Sequence, residues 1–140
     1  MALELLSGRI LAPNFGNSIY VWGGVITVFM LALACGYFVG GQMSLKTPTL
    51  RRLAVILLAA SATTLPVVLA GDDLLDWMFD LVSDPRYGSL ISATLLFFVP
   101  TAISGMVAPY SVRLLVPDQT RSGQIAGYLY FVSTFGSAAG

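Results

Sequence analysis

Residues Glu4–Gly41 read ELLSGRILAPNFGNSIYVWGGVITVFMLALACGYFVGG, and the class of fold follows from them. No charged residue occurs between Arg9 and Lys46. A helix needs about 20 apolar residues to cross about 30 Å of hydrocarbon, and this run is long enough to do so. Its first part is polar and interrupted by Pro13, and its second part is continuously apolar and ends in Gly40 and Gly41. The crossing is therefore expected over residues 19–41. Tyr20 and Trp22 stand at its start, where amphipathic rings favour the headgroup level.

The same theme recurs downstream. Uncharged gaps separate Arg52 from Asp72, Arg86 from Arg113, and Arg121 from the end. Each can hold one crossing, giving expected spans over 53–70, 89–112 and 123–140. Only helices satisfy their own backbone in lipid without a closed barrel, and the runs are too continuously apolar for alternating barrel strands. The expected fold is an all-α membrane domain of about four transmembrane helices. It is joined by the remnant of a preceding helix and one short interfacial amphipathic helix.

Composition agrees. Of 140 residues, 56% are hydrophobic and 10% charged, against about 25% charged in soluble domains. Seven basic residues balance seven acidic ones, so there is no basic footprint for nucleic acid. The partner implied is the lipid bilayer. With no histidine and only Cys35, disulfide frameworks, Cys/His metal sites and histidine catalysis are excluded. No glycine-rich phosphate loop or nucleophile elbow occurs.

Loop charges set the expected orientation. Segment 42–52 carries Lys46, Arg51 and Arg52 with no acid, and segment 113–122 carries Arg113 and Arg121 with Asp118. Segment 71–88 carries Asp72, Asp73, Asp76, Asp80 and Asp84 against Arg86 alone. Counting Lys and Arg places the first two in the cytoplasm and the third outside an inner (plasma) membrane. Residues before Ile19 then lie outside as well.

Candidate functional residues are few. Glu4, Arg9, Asn14 and Asn17 are polar groups beside the first span, candidates for a substrate path or for structural bonding. The spacing of Glu4 and Arg9 sends them to different sides of a helix. Intramembrane charges are functional candidates by default, although so near the N-terminus both could be solvated. Residues 73–83 pattern as an amphipathic helix lying on the outer membrane face. Asp72 would cap it, and Asp73, Asp76, Asp80 and Asp84 would form a cation-attracting or simply solvated face opposite Leu74, Leu75, Met78, Leu81 and Val82. Ala32, Gly36 and Gly40 form a small-residue stripe for close helix packing, within the chain or between copies in a homo-oligomer. Gly136 and Gly140, and Gly123 and Gly127, repeat the spacing. Pro66, Pro100 and Pro109 interrupt helices, as ordinary kinks or as breaks that open backbone groups to a cavity.

Glu4–Gly16, ELLSGRILAPNFG, followed by Asn17–Gly23, NSIYVWG, resembles the membrane region of the fused major-facilitator-like/spermidine synthase family. The match runs through Glu4, Gly8, Arg9, Leu11, Ala12, Pro13, Phe15, Gly16, Ser18, Tyr20, Val21 and Trp22. Ser104–Leu115, SGMVAPYSVRLL, and Gly123–Gly140, GQIAGYLYFVSTFGSAAG, are also similar, in the expected order. Gly40–Arg52, GGQMSLKTPTLRR, departs from the family pattern by lacking an aspartate, so no gating role transfers to it. The resemblance implies a membrane domain linked to polyamine biosynthesis. In that family a soluble synthase domain moves an aminopropyl group from decarboxylated S-adenosylmethionine to putrescine. That domain's glycine-rich site is not in these residues, so the chain itself offers no catalytic residue, metal site or cofactor. It is expected to be a fragment whose partners are the synthase domain or further helices. The alternative is a half-transporter of the major-facilitator type for a small cationic or amphipathic solute. A small four-helix exporter would need a glutamate within its first span, whereas Glu4 precedes the expected one.

Overall fold

The computed structural model describes residues 2–16, 18–45, 48–82, 84–116 and 122–139. Among them the chain forms α1 (Ala2–Phe15), α2 (Ile19–Ser44), α3 (Leu50–Leu81), α4 (Pro85–Gly105), α5 (Val107–Leu115) and α6 (Ser122–Ala139), with no strand.

Local chemistry sets the helix ends. Gly16 takes a φ of 75° and its N–H donates to the Ala12 carbonyl at 2.9 Å. This left-handed ending to α1 suits glycine. Ser18 caps α2 by accepting from the Val21 N–H, and Thr49 caps α3 by accepting from the Arg52 N–H. Asp84 caps α4, accepting from the Arg86 N–H at 3.0 Å, with Pro85 at the first helical position, where a missing N–H costs nothing.

Helices α2 and α4 form the spine and run in the same direction. Contacts advance together along both: Gly24 meets Leu90, the rings of Phe29 and Phe97 lie 5.7 Å apart, and Gly40 meets Met106. α3 returns antiparallel and packs on α4, and α1 closes one end of the bundle against α2, α3 and α4. The core contains Leu11, Phe15, Val25, Phe29, Leu75 and Phe97. The outside is apolar too: Phe38, Leu58, Leu69 and Phe131 are all exposed. In water that surface would be strongly unfavourable. In lipid it is the expected exterior, with helix association left to close packing.

Among the described residues, three helical stretches are long and apolar enough to cross a membrane: Ile19–Ser44, Leu50–Gly71 and Arg86–Leu115. They correspond to the expected first, second and third spans. The expected fourth forms α6, but Ser122, Gln124, Ser133, Thr134 and Ser137 dilute its apolar content, and it is not among the three.

Two expectations about elements are corrected. Residues 73–81 do not form a separate helix lying flat; they continue α3 without a break. Residue 72 is therefore helical interior, not a cap. Gly71 is tolerated within the helix, and Leu75 and Met78 anchor the added turns by burial in the bundle. Pro13 does not interrupt the N-terminal segment; it sits inside α1.

Candidate functional site

Around Gly8 the opening stretch becomes an interlock. A side chain there would fall on the ring of Trp22, so only glycine lets that ring lie flat against α1. Trp22 is thus turned onto α1, unlike the headgroup anchor expected of it, and is partly buried. One turn on, Leu11 is fully buried. At the helix end the Phe15 ring covers Gly88 and meets Phe79 edge-on, with centroids 5.9 Å apart at 65°. The Arg86 guanidinium lies 4.0 Å from the centre of the exposed Tyr20 ring, a cation–π contact worth about 0.5–1 kcal/mol at such a site. Residues far apart in sequence therefore join α1 to the starts of α2 and α4 and the end of α3. Exposed Trp77 and Tyr87 stand at the same end as Tyr20, and the three suit a membrane–water boundary. Trp77 went unnoticed in sequence because it lies among aspartates.

The charges of α1 point apart. Glu4 is half-buried and Arg9 exposed. α1 and α3 run alongside one another in the same direction. Asp73, Asp76 and Asp80 are exposed on α3. Asp84 is not part of that face, because it caps α4. The Asn14 side chain, Asn17 and Gly140 lie outside the described residues.

The small-residue stripe of α2 is an internal contact. Ala32, Gly36 and Gly40 are buried. A Cβ at Gly36 would fall on the carbonyl oxygen of Ala102, and one at Gly40 would come within 2.7 Å of the Met106 Cα. Gly105 completes the fit, with its Cα close to Gly36. Gly123, Gly127 and Gly136 meet nothing within 4 Å, so the same spacing on α6 makes no equivalent contact.

Each proline behaves differently. Pro66 and Pro100 sit inside continuous helices and face one another across a cleft between α3 and α4. Pro109 coincides with a break. Its missing N–H cannot serve the Gly105 carbonyl, and its ring crowds the same turn, so the helix stops at Gly105 and resumes at Val107. Beside this break α2, α4, α5 and α6 enclose a groove of about 460 Å³, within the range of ligand sites. Its lining includes Leu33, Val107 and Leu129 and, among the described residues, carries no carboxylate, amine or guanidinium. Beyond it, fully buried Tyr110 accepts from the Thr49 N–H at 3.0 Å and donates to the Thr49 carbonyl at 3.4 Å. That bond pins the turn between α2 and α3 to α5. Ser92 and Thr101 are buried on α4 with hydroxyls that have no partner among the described residues.

No protein family, curated protein or solved structure matches this chain. Among the described residues, no group of acids and cysteine is placed to hold a metal ion.

Proposed function

We propose that this chain is the membrane domain of a spermidine synthase-like protein. The observation that carries this reading is the combination of three lipid-compatible helices with the packing of the N-terminal block. Of the residues on which the resemblance rests, Gly8 lies against Trp22, Leu11 and Phe15 belong to the core, and Tyr20 stacks on Arg86. In this reading α6 is the fourth crossing of an inner membrane. Turns 45–49 and 116–121 are cytoplasmic, and turns 16–18 and 82–84 are outside. An aminopropyltransferase domain acts alongside, using decarboxylated S-adenosylmethionine as co-substrate and putrescine as acceptor, and the membrane domain anchors it or passes substrate to and from it. The exposed carboxylates of α3 would then give the outer face a surface that attracts cations.

The alternative, a half-transporter for a small cationic or amphipathic solute, is favoured by one observation: the helix break at Met106 opens onto a groove between four helices. Disrupting the gene and following labelled putrescine separates the two readings. The first predicts that conversion to spermidine falls while uptake is unchanged. Unchanged conversion with altered solute uptake would support the second.

A further inference from the structure

Many hydroxyls of this bundle bond to their own helix. Those of Ser7, Thr27, Thr64, Ser89 and Ser104 donate to carbonyls three or four residues back on their own helices. This is how hydroxyls are satisfied in lipid. Around the groove at the α4–α5 break Ser104 keeps this pattern, but four other hydroxyls do not. Tyr37, Ser111, Tyr130 and Ser133 line it, and none has a hydrogen-bond partner among the described residues. Gly105 also lines it, and its carbonyl lacks the N–H that Pro109 cannot supply. The site thus offers donors and acceptors together, within apolar walls.

Depth gives this weight. Tyr37 lies on α2 about 8 Å along the axis from the middle of Ile19–Ser44, at 1.5 Å per residue, so it falls inside a hydrocarbon core of about 30 Å. Water cannot satisfy polar groups there at low cost. Among the described residues the lining holds no carboxylate, amine or guanidinium, which disfavours a charged ligand, whose burial without a counter-charge is costly. A hydroxyl both donates and accepts, and so answers the Gly105 carbonyl and the free hydroxyls together.

We propose that this groove binds an uncharged lipid carrying a free hydroxyl, entering sideways from the bilayer. The inference rests on the membrane reading for the depth of the groove, and on neither reading of polyamine chemistry.

The test uses the full chain in phosphatidylcholine vesicles with two photoactivatable probes of equal chain length, hexadecanol and hexadecyl-trimethylammonium, each bearing a diazirine. Vesicle flotation reports insertion separately, so failure of the membrane reading is distinguishable from failure of the site. The alcohol is expected to label the groove saturably, with unlabelled hexadecanol competing and the ammonium probe not concentrating there. Ala108→Phe should fill the groove and abolish the labelling. Should that variant not fold, Tyr37→Phe with Tyr130→Phe keeps the volume and should weaken competition about fivefold or more, the scale of one or two hydrogen bonds. Labelling spread evenly over all exposed helices, equal labelling by the ammonium probe, or competition unchanged in the Phe pair would overturn the proposal.

Discussion

A single methyl group at Gly36 would strike the carbonyl oxygen of Ala102, a backbone atom held by two packed helices. Gly36→Ala is therefore expected to destabilise the bundle by about 1–3 kcal/mol, the range for overpacking. Gly136→Ala meets open space and should stay within about 0.5 kcal/mol. Unfolding in graded denaturing detergent reads both, and equal effects would refute the internal role of the stripe. Tyr110→Phe removes a hydroxyl that bridges the Thr49 N–H and carbonyl, leaving a part-buried donor unpaired, at a cost of about 1–3 kcal/mol. The same assay checks it. The stripe was legible because spacing reveals which residues share a face. Spacing does not reveal what the face meets, so α2 and α6 read alike. The Gly8–Trp22 contact was not legible, since its partners lie on different helices and hydropathy carries no pairing information.

At the scale of elements, gaps between charges located the helices but misjudged α3. A cluster of aspartates looks like a loop when charge alone is read. An aspartate on a solvated helix face costs little in propensity, while Leu75 and Met78 recur on the buried side. α3 thus continues to Leu81, and its 32 residues give about 48 Å, longer than a hydrocarbon core of about 30 Å. Its acidic turns reach the boundary by length and need not lie flat. Leu75→Ala should cost about 2–5 kcal/mol as a buried truncation, read as loss of the folded band or signal in detergent. A flat, independent surface helix would show almost no effect. The break between α4 and α5 has its own test. Pro109→Ala supplies an N–H to the Gly105 carbonyl, so hydrogen exchange should slow around Met106. Unchanged exchange there would mean that Pro109 does not cause the break.

The whole molecule has two ends. The α1–α2 and α3–α4 turns share one, and the α2–α3 and α5–α6 turns share the other. This grouping is the one that the loop charges implied. It was legible because charge avoids hydrocarbon, and the number of crossings was less so because α6 mixes apolar and hydroxyl side chains. Cysteines introduced at Thr47 and Ser83, both outside the described residues, should react with a membrane-impermeant maleimide from opposite faces. Reaction of both from one face would rule out the proposed orientation. The central claim, that the apolar exterior faces lipid, is tested most directly by the native thiol. Cys35 is exposed on the surface of α2, so in water it would react freely. In native membranes, sealed or opened, it should resist the impermeant maleimide and react only after detergent unfolding. Rapid labelling of Cys35 without detergent would contradict the account.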